Sequence, residues 1–162
     1  MSNCYEGHQH VAKVMKDVVT DGEGVRISVY VSGCRFHCPD CFNASIWDFQ
    51  KGRLYDQSLE DEIMSLLDKP YISGLSILGG EPLQNLAITK PLIKAFRNKF
   101  KNTKTIWLWS GYMLEYIQND AQLKPLLNDI DVLVDGPFVA HLKKLDLPFR
   151  GSLNQRIHYL KP

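Results

Sequence analysis

Short apolar runs, each stopped by glycine, recur along the chain. Residues 25–32, VRISVYVS, set Val25, Ile27, Val29 and Val31 two apart and predict a buried strand ending at Gly33. GLSIL at 74–78, stopped by Gly79 and Gly80, predicts a second strand. TIWLW at 105–109, ending at Ser110 and Gly111, predicts a third, and DVLVD at 131–135, ended by Gly136 and Pro137, a fourth. Between them the period changes to that of helices. Ser58 is placed to cap a helix with Asp61 three residues on, and Leu59, Ile63, Leu66 and Leu67 share its apolar face until Pro70. A second helix is expected from about Thr89, with Leu92, Phe96 and Phe100 on one face. Residues 112–128 read as helical in two pieces because Pro125 interrupts them. The tail from Phe138 reads as mixed.

Strands alternating with helices predict an α/β fold whose parallel strands are joined by right-handed crossovers. Ligands of such sheets gather at the carboxyl ends of the strands. Segments of unusual composition stand at all of those ends: a cysteine loop after the first strand, then GGEP (79–82), SGY (110–112) and DGPF (135–138). One site is therefore expected where these loops converge. No repeat, low-complexity tract or long linker divides residues 1–162, so one domain is expected, with 1–20 as an N-terminal extension.

Composition narrows the function classes. Lys+Arg 19 against Asp+Glu 18 gives a net charge of +1, which favours neither nucleic acid nor an anionic membrane as partner. No apolar run approaches the ~20 residues needed to span a bilayer. The polar start, carrying His8, His10, Lys13 and Lys16, does not read as a secretory signal, so a cytoplasmic location is expected. In that compartment cysteines serve as metal ligands or reactive thiols rather than disulfides.

Cys34, Cys38 and Cys41 follow C-x3-C-x2-C in the stretch VSGCRFHCPDCFN. A structural zinc ion wants four protein ligands, so completion would have to come from Cys4, His37 or the His8/His10 pair. A cubane iron–sulfur cluster also has four corners. Three thiolates on one loop can hold three irons and leave the fourth open to a small molecule.

The C-x3-C-x2-C loop after the first strand, followed by Gly-Gly-Glu-Pro after the second, resembles the radical S-adenosylmethionine (SAM) superfamily. GVRISVYVSGC, CFNASIWDF, GLSILGGEPL, IWLWSGY, DVLVDGPF and RGSLNQRIH together are similar to the family of proteins that activate anaerobic ribonucleoside-triphosphate reductases. These segments run from about Asp21 to His158. The resemblance implies a partial, open (β/α) barrel of mostly parallel strands. A closed barrel typically needs ~250 residues, and the uncovered side of a partial one would receive a loop of the reductase.

The resemblance also implies roles. Cys34, Cys38 and Cys41 would hold a [4Fe–4S] cluster, with SAM on the fourth iron. Gly79 and Gly80 would let the main chain approach the methionine end of SAM, and Glu81 would accept from its ammonium. Ser110 and Asp135 would meet the ribose or the amino acid end; their competing roles are helix capping and turn formation. Asp40 stands where many superfamily members carry an aromatic residue, and Phe42 follows the third cysteine, so Phe42 or the main chain at Asp40 would contact adenine. Trp107 and Trp109 read as core. Arg150, Asn154 and Arg156 would grip a partner or a phosphate, a solvated surface segment being the competing reading. The resemblance names the partner as the reductase's large subunit, with reduced flavodoxin or a similar carrier as electron donor. The competing readings are activation of another glycyl-radical enzyme, a radical SAM enzyme with a small-molecule substrate, and a non-catalytic zinc-binding module.

Overall fold

The computed structural model describes residues 9–161. One open sheet of seven strands organises them, in the order β3-β1-β2-β4-β5-β6-β7. The strands are β1 (His10–Val18), β2 (Val25–Val31), β3 (Arg53–Leu54), β4 (Ile72–Gly79), β5 (Thr105–Ser110), β6 (Val132–Asp135) and β7 (Arg156–Tyr159). The expected strands are β2, β4, β5 and β6, and they form a continuous parallel centre. The α/β expectation holds there. The flanks are antiparallel: β1 and β3 on one side, β7 on the other.

Three of these strands had no expectation. β1 lies within the expected N-terminal extension, and its register against β2 slips between Val11 and Lys13 and again between Met15 and Val18. Each slip shifts which side chains face inward. β7 is a short edge strand with no buried residue, and β3 is two residues long.

Alternation along the central strands divides the sheet into two faces. Ile27, Val29, Val31, Leu75, Ile77, Ile106, Leu108 and Leu133 enter one large core under α1 (Gln57–Leu67) and α2 (Leu86–Phe100). Those helices supply Leu59, Ile63, Met64 and Leu67, and Leu92, Phe96 and Phe100. Two boundaries differ from expectation. The N-cap of α1 is Asp56, whose carboxylate accepts the Leu59 N–H at 2.9 Å, so Ser58 lies inside the helix. α2 begins a turn earlier than Thr89. Its N-cap residue, Asn85, makes no capping bond: its amide donates to the carbonyls of Gly33 and Glu81, and its Oδ1 accepts from no group among the described residues. The third helical region is split as expected, into α3 (Leu114–Gln118) and a 3-10 turn at Lys124–Asn128.

The opposite face carries Arg26, Ser28, Ser76 and Trp107, all buried. Arg26 is fully satisfied there: it donates to Ser76 Oγ, Thr105 Oγ1 and the carbonyls of Glu23, Leu75 and Thr105 at 2.8–3.0 Å. These contacts, with the bond from Ser76 Oγ to the Asp21 carbonyl at 2.5 Å, press the turn between β1 and β2 against the sheet. No helix among the described residues is long and apolar enough to cross a membrane.

Candidate iron–sulfur and cosubstrate site

The cysteine loop and the Gly-Gly-Glu segment are stitched together through the main chain. The Glu81 N–H donates to the Gly33 carbonyl at 2.8 Å, just before the first cysteine. Past the third cysteine, the Asn43 amide donates to the Gly79 carbonyl at 2.9 Å. The loop is held outside by Cys34 N–H to the Trp47 carbonyl at 3.1 Å and Arg35 N–H to Gln84 Oε1 at 2.7 Å. Close approach requires both glycines. A Cβ on Gly79 would lie 2.3 Å from the Val31 carbonyl oxygen, and one on Gly80 2.5 Å from the same atom. Gly79 also adopts φ +142, in the region that favours glycine.

A cleft of about 350 Å³ opens where these segments meet, within the range of small-molecule sites. Cys34, Cys38, Cys41, Phe42, Gly79, Gly80, Glu81, Ser110 and Arg150 line it. Of the expected site residues, Asp40, Asp135, Asn154 and Arg156 do not. Asp40 is exposed with φ 58. Trp109 lines the cleft, so only Trp107 is wholly core.

The three thiols are free, partly buried and disulfide-free. Burial pushes the Cys34 thiol up to about 11, against the pull of the Phe36 and His37 N–H groups on its sulfur. Cys38 is likewise raised by burial, with the Phe138 N–H opposing. The Asn43 N–H lies 3.4 Å from Cys41 Sγ. Main-chain donors thus face all three sulfurs, an arrangement that serves thiolates. Among the described residues no group of three or more His, Cys, Asp or Glu is arranged to hold a single metal ion. His37 instead stacks on Trp47 at 4.5 Å, and His10 sits in β1 outside the cleft lining. Cys4 and His8, the other expected completions of a zinc site, lie outside the described residues.

Glu81 is 1% exposed and braces the site. Its Oε1 accepts the Gly111 N–H at 2.6 Å; its Oε2 accepts the Leu83 N–H at 2.9 Å and the Ser110 hydroxyl at 3.0 Å. Ser110 Oγ in turn accepts the Tyr112 N–H at 3.0 Å. Both side chains therefore tie the ends of β4 and β5 together. Asp135 is used in the same way at the end of β6. Its fully buried carboxylate accepts from Leu114 N–H at 2.7 Å and from Arg156 at 2.6 and 3.1 Å, and Arg156 also reaches Glu115. Asn154 donates to the Pro137 carbonyl at 2.7 Å. Asp135, Asn154 and Arg156 thus serve the scaffold in this structure.

The residues that the local pattern did not single out are Thr20 and Asp21, from the turn before β2, and Lys144, Leu145, Leu147 and Phe149, from the return before β7. They reach the cleft only because β1 and β7 flank the parallel centre.

Residues 20–158 match the family described as a 4Fe-4S single cluster domain. The chain is 39% identical over 147 residues to the anaerobic ribonucleoside-triphosphate reductase-activating protein of Escherichia coli K12, covering 88% of this chain and 94% of that one. It is 40% identical over 144 residues to the protein of that name from Vibrio cholerae, covering 86% and 91%. The protein of that name from Enterobacteria phage T4 is 38% identical over 139 residues, 85% of each chain. The chain belongs to the family of anaerobic ribonucleoside-triphosphate reductase-activating proteins. The family match and the cysteine loop agree: the matched region contains Cys34, Cys38 and Cys41. The segments WLWSGY, VDGPF and RGSLNQ complete the lining of the cleft, and the Phe138 N–H reaches Cys38.

Proposed function

We propose that this chain is a radical SAM activase that generates a glycyl radical on anaerobic ribonucleoside-triphosphate reductase. The observation that carries the reading is the stitching of the cysteine loop to Gly79–Glu81 around one cleft shared by successive strand ends. Cys34, Cys38 and Cys41 would hold a [4Fe–4S] cluster, and SAM would complete it. The donor set fits: three thiols free of disulfides on one loop, each facing a main-chain N–H. When bound and reduced, the cluster supplies one electron that splits SAM into methionine and a 5′-deoxyadenosyl radical, which takes a hydrogen atom from a glycine α-carbon.

The chain's own work is positional. Gly79 and Gly80 bring the main chain to the methionyl end, and Glu81 with Ser110 keeps the β4 and β5 ends in register beneath it. Phe42, against Phe138 at 5.1 Å, offers an aromatic surface for adenine. The parallel centre with antiparallel flanks suits a partial barrel, whose free side receives the glycine-bearing segment of the reductase's large subunit. A reduced flavodoxin or similar carrier would supply the electron.

The test is anaerobic reconstitution with iron and sulfide, followed by reduction and addition of SAM and the cognate reductase. Electron paramagnetic resonance is expected to show a carbon-centred glycyl signal on the reductase that depends on SAM. A reductase that becomes active without that signal contradicts the reading.

A further inference from the structure

Arg150 lines the cleft from a segment whose main chain is held on both sides. Its neighbour Phe149 is a non-glycine residue at φ 62, a conformation that persists only where the surroundings fix it. They do. The Trp109 indole N–H donates to the Phe149 carbonyl at 2.7 Å, and the Phe149 ring stands edge-on to Trp107 at 5.1 Å. On the other side, Gln155 Oε1 accepts the N–H groups of Gly151 and Ser152, while its amide donates to the Gly136 carbonyl at 3.0 Å. Gly151 lies so close to Phe42 and Phe138 that a Cβ would come within 2.8 and 3.2 Å of their rings. The segments WLWSGY, VDGPF and RGSLNQ thus build one unit around a single arginine.

That arginine is left incomplete. Its Nη1 donates to the Gln155 carbonyl at 2.8 Å, its Nε is buried without an acceptor, and its Nη2, which is not buried, has no acceptor among the described residues. The guanidinium therefore keeps a charged donor free on a cleft-lining residue, where a bound acceptor can use it. Arg150 and Lys144 are the cations that line the cleft.

We propose that Arg150 binds a main-chain carbonyl of the reductase segment that carries the target glycine. This rests on the activase reading above. SAM has one anionic group, its carboxylate, and that reading places it at the methionyl end, beside Gly79 and Gly80. Gly151, next to Arg150, packs against Phe42 and Phe138, the aromatic pair that reading gives to adenine, and not against Gly79–Glu81. Arg150 is therefore offered to the other ligand. A glycine has no side chain, so a protein can hold it only through the amides and carbonyls around it. A fixed guanidinium with free donors suits such a carbonyl.

The experiment compares the reconstituted parent with Arg150→Gln and Arg150→Lys. It measures SAM affinity and the glycyl radical formed per 5′-deoxyadenosine released, as the cognate reductase is varied. Arg150→Gln is expected to raise KM for the reductase and lower the coupling ratio by roughly tenfold, the effect of one lost charged hydrogen bond. Its SAM affinity is expected to stay within about twofold, and Arg150→Lys to recover part of the coupling. Weakened SAM binding with intact coupling would assign the donor to the cosubstrate and overturn the proposal. Unchanged coupling in both variants would also overturn it. A parent that releases no 5′-deoxyadenosine refutes the activase reading itself, before any variant is compared.

Discussion

The N–H of Gly111 reaches Oε1 of Glu81 at 2.6 Å, and this contact ties the end of β5 to the end of β4. The carboxylate that receives it is buried beneath the cleft, with Leu83 and Ser110 as its other donors.

Burial raises the Glu81 carboxyl from 4.5 to about 7, although the Gly111 and Leu83 N–H groups and the Ser110 hydroxyl pull it down. Between those values the folded chain keeps a proton that the unfolded chain has released. This group therefore makes the protein less stable as pH rises through that window. At 1.36 kcal/mol per pH unit the loss amounts to about 3 kcal/mol. Urea unfolding from pH 4.5 to 7 is expected to show this slope, and Glu81→Gln to abolish it. Parallel slopes in the two proteins would disprove the assignment.

Arg156 joins Asp135, which is 0% exposed, to the surface residue Glu115. Arg156→Ala leaves a buried carboxylate with only the Leu114 N–H and His158 nearby, and is expected to cost about 3 kcal/mol. Asp135→Asn keeps a neutral acceptor for Leu114 and leaves Arg156 its Glu115 partner, so about 1–2 kcal/mol is expected. Chemical denaturation of both single variants checks the order. A larger cost for Asp135→Asn would contradict the pairing.

Glycine substitutions separate main-chain from side-chain crowding. In Gly79→Ala the new Cβ meets the Val31 main chain at 2.3 Å, which cannot yield, so a loss of about 3 kcal/mol or more is expected. In Gly111→Ala it meets the Phe36 ring at 2.6 Å. That protein is expected to fold but to bind less iron, because Phe36 lies between two cysteines. Adding Phe36→Ala to Gly111→Ala should restore iron content; failure to do so would show that the ring is not the obstacle.

The parallel centre was legible because strands buried on both faces read as apolar runs, and glycine ends each of them. The cysteine loop and Gly79–Glu81 were legible as a shared site because both follow such strands. β1 was not, because its two register slips break the alternation that would announce it. β7 is too short and too exposed to carry a pattern. The roles of Asp135 and Arg156 could not be read either: each is a polar residue of functional appearance whose partner lies 21 positions away in the chain. Sequence proximity to a strand end placed them near the site, and only the pairing of β6 with β7 shows that they face each other.

The central claim is that the three cysteines support reductive cleavage of SAM. Its most direct test is to reconstitute the protein anaerobically, reduce it, add SAM, and measure 5′-deoxyadenosine in the parent and in Cys38→Ala. The account predicts a brown parent that releases the nucleoside and a variant that does not. A colourless protein that retains zinc and leaves SAM intact would contradict it.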